Sequence, residues 1–305
     1  MRRLAAAAAA TVLLVACSGG EAAAPATVHD TTVHQHIHTD ATSLGRPDEP
    51  IAGPQGSVGQ FLVECPYSHS ASDDPIVFPG AAGASHLHVF FGNETTNAAS
   101  TVASLAQGPT TCDQQLDRAA YWAPALLRSG TMLTPVKSTA YYRAGLGVDP
   151  TSVQPFPKGL VMIAGSAGAT APQPNSIVAW SCGSSSLRDV LPPECVGDRN
   201  LRLVITFPDC WDGTHLDSAD HHAHVAYSSK GACPDGYPVP VPQLQFSVEY
   251  PVTGSTAGLE LSSGGLLTGH ADFMNAWDEK KLVDEVNLCL HRNVVCGVTS
   301  GRKTG

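Results

Sequence analysis

Three short histidine motifs contain the residues whose type and spacing could do chemistry. His86 and His88 stand two residues apart in an apolar run, and His224 ends a second His-x-His motif. His270 is followed two positions later by Asp272. Alternate side chains of a β-strand point to one face, with Cα atoms about 7 Å apart, so each pair would present two ligands together. We therefore predict that these four histidines converge on one divalent ion, zinc, copper or iron, with the carboxylate as an orienting residue or extra ligand.

The same side chains could also act without a metal. A histidine near pH 7 and a buried carboxylate suffice for general acid–base cleavage of a glycan, as in a hydrolase or a lyase. In that case the catalytic candidates are His86, His88, His270 and Asp272. The sequence contains no G-x-S-x-G elbow, phosphate-binding loop or H-E-x-x-H motif, so the commonest hydrolase and nucleotide sites are excluded.

A third hypothesis is a surface module that binds a glycan without turning it over. Trp122, Trp211 and Trp277 could stack against sugar rings. Disulfide-stapled β-domains host many functions, so the fold class alone does not choose among the three hypotheses. All three hypotheses make an extracellular polysaccharide a candidate partner.

Short β-strands must position these residues. Runs rich in Val, Ile, Phe and Tyr alternate with Gly and Pro turns and predict strands at 61–65, 86–91, 136–143, 160–164, 177–182, 201–207, 224–227 and 244–250. We predict one mainly β domain over residues 58–298, a disulfide-stapled sandwich or jelly-roll-like domain with a short C-terminal helix.

The helix is predicted at 278–290. Apolar side chains recur there at three- and four-residue spacing on one side, namely Leu282, Val283, Val286, Cys289 and Leu290. The opposite side carries the charged residues Lys280, Lys281, Asp284 and Glu285.

The N-terminal region has the order of an export signal. Arg2 and Arg3 precede an apolar run at 4–16 that is too short to span a bilayer comfortably, and the run ends at Cys17. The segment LVAC at 14–17 resembles a lipobox, so residues 1–16 are predicted as a signal peptide and Cys17 as a lipidated anchor to the membrane. Residues 17–57 are predicted as a flexible tether, whose His-rich tract at 29–38 we interpret as a polar spacer, and residues 299–305 as a tail.

Eight cysteines remain beyond Cys17, an even number that predicts four disulfides in an exported chain. Short loops close most cheaply, which favours neighbours in sequence as partners. The predicted pairs are Cys65 with Cys112, Cys182 with Cys195, Cys210 with Cys233, and Cys289 with Cys296. The expected location is extracytoplasmic, lipid-anchored to the cell membrane or secreted.

The charge balance limits the partners. The chain has 17 basic and 27 acidic residues and a formal net charge of −10. Nucleic acids and anionic lipid surfaces attract Lys and Arg, and no basic stripe is visible in the sequence. Nucleic-acid binding is therefore not expected.

Seven motifs in order resemble a known family. They are SHLHVFFG at 85–92, YWAPAL at 121–126, QPFPKG at 154–159, CWDG at 210–213, HVAY at 224–227, CP at 233–234 and HADFMNAWD at 270–278. Together they resemble, over residues 60–296, the secreted domain-of-unknown-function family numbered nineteen ninety-six of bacteria and fungi, where fungal members are sometimes joined to WSC carbohydrate-binding modules. Many fungal members read Cys-Pro-x-x-His-Pro where this chain has Tyr237 in place of the histidine. The resemblance implies a fold and an extracellular location, and it carries over no catalytic residue.

Overall fold

β-Strands form most of the regular structure, as the alternation of short apolar runs and turns predicts. The computed structural model describes residues 59–183 and 187–297, together with the backbone of 52–53 and 56–57. The first nine strands are β1 (Ala52–Gly53), β2 (Gly56–Ser57), β3 (Gln60–Ala71), β4 (His88–Gly92), β5 (Ala120–Pro124), β6 (Leu126–Arg128), β7 (Thr131–Met132), β8 (Lys137–Arg143) and β9 (Val161–Gly165). The others are β10 (Val178–Cys182), β11 (Leu201–Thr206), β12 (Cys210–Trp211), β13 (Val225–Ala226), β14 (Val239–Pro240), β15 (Gln243–Tyr250), β16 (Leu259–Leu261), β17 (His270–Met274) and β18 (Val295–Cys296).

One large sheet organises the domain. Its strands follow the order β10-β11-β15-β8-β3-β4-β5-β17-β9, with antiparallel pairing throughout, and β18 adds a parallel pairing to the start of β3. Strand β9, at one end of this order, contacts β11 near the other end, so the sheet is nearly closed. The prediction of a mainly β, disulfide-stapled domain with a short C-terminal helix is confirmed.

The two faces of the sheet bury different cores. The inner face holds the main core, in which Tyr121 stacks on Phe246 with ring centroids 5.6 Å apart and Phe61 stacks on Tyr142 at 4.6 Å. Each such fully buried large side chain contributes roughly 1.5–3 kcal/mol through removal of apolar surface from water. The outer face carries a smaller apolar cluster formed by Phe90, Trp122, Ile163, Met274 and their neighbours. Loops therefore cover part of the outer face, and that covered part contains the candidate site.

Two strands near the site were not predicted. Strands β5 and β17 are buried at every position, so neither shows the alternation of apolar and polar residues that marks a half-buried strand. Their sequences, AYWAP and HADFM, also contain Ala, Pro, His and Asp in place of a run of β-branched residues. Because both faces of these strands are buried, their sequences lack the apolar–polar alternation from which a strand is predicted.

The C-terminal helix differs from the prediction in the type of its last turn and in which side chains it buries. Helix α1 (Val102–Leu105) is short, and α2 (Glu279–Glu285) begins at the cap residue Asp278 and continues into a π-helical turn over Val286–Leu290. The predicted apolar face is wrong at Val283, which is 38% exposed. Lys281 and Glu285, placed on the polar face by the pattern, are buried and form an ion pair at 3.0 Å.

All four predicted disulfide pairs are confirmed. Cys65 is bonded to Cys112, Cys182 to Cys195, Cys210 to Cys233, and Cys289 to Cys296. The last bond joins the π-helical turn to β18, the strand that pairs with β3. The disulfides therefore close short loops around the main sheet, as the loop-closure argument predicts.

The predicted signal peptide, Cys17, most of the tether with its His-rich tract, and the tail lie outside the described residues. Strands β1 and β2, which pair with each other, fall within the segment predicted as tether. Among the described residues, no helix is long and apolar enough to cross a membrane.

Candidate functional site

Strand pairing brings His88 and His270 to the same level of the sheet. His88 pairs with Pro124 at the end of β5, and Asp272 pairs with Trp122 on the other side of that strand. His270 is two residues before Asp272, and Pro124 is two residues after Trp122. Because the two strands are antiparallel, His270 and Pro124 lie level with each other. The two histidines thus lie on either side of Pro124. His86, two residues before His88, extends the same face of the chain.

The three imidazole rings are in mutual contact. The ring centroids of His86 and His88 are 4.2 Å apart, those of His86 and His270 are 5.0 Å apart, and those of His88 and His270 are 5.8 Å apart. One ligand atom of each residue lies within 4.8 Å of the other two. Imidazole nitrogens bind an ion at about 2.1 Å, so small ring rotations would let all three reach one ion.

The backbone orients two of the rings. Nδ1 of His88 donates to the carbonyl oxygen of Asp73 at 2.9 Å, and Nδ1 of His270 donates to the carbonyl of Thr268 at 2.8 Å. A carbonyl only accepts hydrogen bonds, so the proton is on Nδ1 and Nε2 keeps its lone pair. Nε2 of His88 and of His86 is buried and has no hydrogen-bond partner among the described residues. Histidines that ligate metals are commonly held in this way by a second-shell carbonyl.

Burial favours the neutral form of these histidines. It lowers the pKa of His88 well below its ordinary value, with smaller contributions from His86 and His270. It lowers the pKa of His270 to about 4, and it also lowers the pKa of His86. Neutral imidazole is the form that binds a metal ion, so at neutral pH no proton competes for these nitrogens.

Two buried aspartates lie beside the histidines. Asp74 and Asp272 each place a carboxylate oxygen within 4.8 Å of a ligand atom of His88 and of each other. Oδ1 of Asp74 accepts hydrogen bonds from the backbone N–H groups of Ile76 and Val77, whereas Oδ2 of Asp272 has no hydrogen-bond partner in the part of the chain that the structure describes.

Burial disfavours the ionised form of both carboxylates. Burial raises the pKa of Asp272 well above its usual range, and the nearby Asp74 raises it further. Burial likewise raises the pKa of Asp74. Within the described ranges, neither forms an ion pair with Lys or Arg. A divalent cation would neutralise both carboxylates at once, which relieves the penalty of burying them.

His224, expected in the same group, is not brought into it. Its Nε2 donates to the carbonyl of Val161 at 2.6 Å, and its Nδ1 contacts the hydroxyl of Ser218 at 3.0 Å. Val161 pairs with Met274, which is four residues, or about 13 Å, along β17 from His270. His224 therefore anchors its loop to β9, with both ring nitrogens engaged.

Asp74 was missed from the sequence. It lies in the loop after β3, directly before Pro75, where an aspartate is an ordinary turn residue. No local pattern distinguishes it from other turn aspartates, because only the packing of its loop against β4 and β17 brings it to the histidines.

The tryptophans considered as sugar platforms are mostly unavailable for that role. Trp122 is fully buried in the outer cluster, and Trp277 is buried in the main core. Trp211 is partly exposed, and its indole N–H donates to the carbonyl of His215 at 2.6 Å.

A cavity lies beside β9, the strand that pairs with β17. Its volume is about 250 Å³, and its wall includes Ile163 and Gly165 of β9, which pair with Asp272 and His270. His222 and Tyr227 add polar groups to the lining, which contains none of the five cluster residues. The cavity is thus one strand away from His270 and Asp272.

Fold and site define a mainly β, disulfide-stapled domain with a buried histidine–carboxylate cluster, and its four disulfides fit an extracytoplasmic location. The chain belongs to the family described as Domain of unknown function (DUF1996), whose sequence model matches residues 74–277. The matched segment begins at Asp74 and contains all five residues of the cluster. Neither the curated proteins nor the solved structures contain a match to this chain.

Proposed function

We propose that this domain is a metal-binding protein in which Nε2 atoms of His86, His88 and His270 hold one divalent transition-metal ion. The observation that carries the proposal is the pair of buried Nε2 atoms that have no hydrogen-bond partner within the described ranges, one of them on a ring whose Nδ1–H is fixed by a backbone carbonyl. A buried polar atom without a partner is costly, and an ion would satisfy several of them together.

The donor set narrows the choice of metal. Imidazoles suit zinc, copper and iron, and the adjacent carboxylates of Asp74 and Asp272 add hard oxygen donors and negative charge. When bound in such a site, a metal ion supplies a Lewis acid and lowers the pKa of a coordinated water. His86 is half-buried, whereas His88 and His270 are buried, so the side of His86 is where a substrate would approach.

The proposed substrate is part of an extracellular polymer such as a glycan. The cavity beside β9 has a volume of about 250 Å³, which is smaller than the roughly 300–1,000 Å³ typical of sites for whole drug-sized ligands. It would suit one small unit of a longer chain that extends beyond it. A domain held outside the cytoplasm by a lipid at Cys17 would encounter such polymers. The four disulfides support an extracytoplasmic location.

Metal analysis of untagged protein tests the site. We expect about one equivalent of zinc, copper or iron per chain in the parent, and loss of most of it in His86→Ala and His88→Ala. His215→Ala is the matched control, because His215 is an exposed histidine that pairs with Asp212 outside the cluster. A parent protein that binds none of the three metals after incubation with each of them would overturn the proposal.

Assays on insoluble glycan separate the metal site from the two other hypotheses. Turnover that chelator abolishes supports the proposal, whereas turnover that survives complete removal of metal supports acid–base catalysis by the same residues. Retention on the glycan without any turnover supports a binding module.

Lipidation is tested separately. Cys17→Ala should leave the precursor uncleaved or release a soluble product, and mass analysis should find an acyl group on the parent alone. If parent and variant partition equally into membranes and the parent carries no acyl mass, the lipid anchor is wrong.

A further inference from the structure

The outer face of β3, β8, β11 and β15 carries a group of basic side chains away from the histidine cluster. Two of them have acidic partners on the same face. Lys137 pairs with Glu64 at 2.5 Å, and Arg202 pairs with Glu249 at 2.6 Å. Lys137 and Arg202 are therefore each neutralised by a glutamate on a neighbouring strand of this face.

Arg143 and Arg188 depart from that arrangement. In the described part of the chain neither forms an ion pair with Asp or Glu, and both donate to one neutral atom, Oε1 of Gln245, at 3.0 Å and 2.8 Å. Two guanidinium groups are thus held beside each other by a single amide oxygen. Both arginines are half-buried, and burial lowers the pKa of each.

Local structure holds Arg188 in this position. Arg188 belongs to the loop that the Cys182–Cys195 disulfide closes. The next residue, Asp189, exchanges both backbone hydrogen bonds with Trp180 of β10, at 2.8 Å and 2.9 Å. Asp189 is therefore fixed against the edge strand β10, and the guanidinium of Arg188 beside it reaches Gln245 on β15.

The arrangement is unfavourable for the protein alone. Arginine stays protonated in proteins, so the two charges repel each other, and the amide oxygen that they share carries no negative charge. An oxyanion between them would accept hydrogen bonds from the N–H groups of both guanidinium groups, and its negative charge would offset the repulsion between the two positive charges. Tyr141, directly opposite Gln245 on β8, adds a phenolic group to the same surface.

We propose that Arg143 and Arg188, positioned by Gln245 and the Cys182–Cys195 loop, form a binding site for an oxyanion, a carboxylate, sulfate or phosphate group. The site is independent of the histidine cluster. For a chain with a formal net charge of −10, a paired-arginine site gives selective attraction of an acidic group that the surface as a whole repels. On an acidic polysaccharide the recognised group would be a uronate carboxylate or a sulfate ester.

Calorimetric titration tests the proposal with three probes at constant ionic strength: glucuronate, inorganic sulfate and inorganic phosphate. We expect saturable binding of at least one probe to the full-length parent. Arg188→Gln should weaken it about tenfold or more, because a charge-assisted hydrogen bond and one of two charges are lost. Preference for glucuronate indicates an acidic sugar as the source of the anion, and preference for sulfate or phosphate indicates an ester or a free anion.

Arg199→Gln is the matched control, because Arg199 is an exposed arginine in the same region of the chain and the net charge changes equally. Its affinity should equal that of the parent. Arg143→Gln provides a second variant, and a thermal unfolding curve confirms that each variant is folded. The proposal is overturned if no probe binds the parent, or if Arg188→Gln and Arg199→Gln bind the probes equally well.

Discussion

His86 and His270 lie in edge-to-face contact, with imidazole centroids 5.0 Å apart, although they are far apart in the sequence of the domain. His86 precedes β4, and His270 begins β17. Burial lowers the pKa of both, so the contact joins two neutral rings and is not an ion pair. Two neutral imidazoles with a third beside them form a set of nitrogen ligands that a metal ion can bind.

Asp272→Asn should have opposite effects on metal affinity and on the stability of the metal-free protein. The asparagine removes a carboxyl group whose ionised form burial disfavours, so the metal-free variant should unfold at an equal or higher urea concentration. Metal affinity should fall about 10- to 100-fold, because the negative charge beside the histidines is lost. Competition with a chelator measures the affinity, and the exposed Asp235, changed to Asn, serves as control. Unchanged affinity in Asp272→Asn would show that this carboxylate takes no part in binding.

Leu87→Ala should lower stability and leave the bound metal in place. Leu87 lies between the two histidines of the motif but packs against the main core, on the opposite face from them. Because it is only partly buried, truncation should lower the free energy of unfolding by about 2 kcal/mol, the lower end of the range for buried leucines. Urea unfolding and metal analysis of the same preparation give both values. Loss of metal together with stability would contradict the alternation of faces.

Asp117→Asn should flatten the dependence of stability on pH. Burial raises the pKa of Asp117 to about 8, while the hydroxyl of Tyr121 donates to its carboxylate at 2.6 Å. In the unfolded chain this pKa is about 3.9, so between about pH 4 and 8 the folded state binds the extra proton. The free energy of unfolding contributed by this group is therefore present at low pH and is lost as pH rises toward 8.

Urea unfolding at several pH values in that window measures the effect. The parent should lose a few kcal/mol more than Asp117→Asn does as pH rises, since each unit of pKa difference corresponds to about 1.4 kcal/mol. Other titrating groups contribute equally to both proteins, so the difference between the two curves isolates Asp117. Parallel curves would mean that Asp117 is ionised in the folded protein at neutral pH.

Replacement of both Cys182 and Cys195 by Ala should destabilise the domain. The bond closes a loop with a sequence separation of 13. Its loss should lower the free energy of unfolding by about 3 kcal/mol, because the unfolded chain regains the freedom that the bond removes. Thermal unfolding measures this effect, and thiol titration of the denatured parent should find none of the eight paired cysteines free. An unchanged melting temperature would show that β10 and its loop are held by other contacts.

Local pattern accounts for much of the fold. Runs such as 61–65 and 244–250 became β3 and β15 because alternating or continuous apolar residues between turns have few alternatives to a strand. The cysteine pairing followed from loop length alone. The strand predicted from 86 begins only at His88, yet the imidazoles of His86 and His88 are in contact while Leu87 packs against the main core, as a spacing of two in an extended chain predicts.

Tertiary structure decided which of these residues share a site. The order β4-β5-β17 places His88 and His270 on either side of Pro124, and strand order depends on contacts between residues far apart in sequence, which no local pattern encodes. Packing of one loop added Asp74, while a hydrogen bond to Val161 anchored His224 elsewhere. The sequence by itself therefore determined that His86 and His88 share one face of the chain. Only the folded sheet determined which other residues meet that face, because this depends on non-local strand pairing and burial.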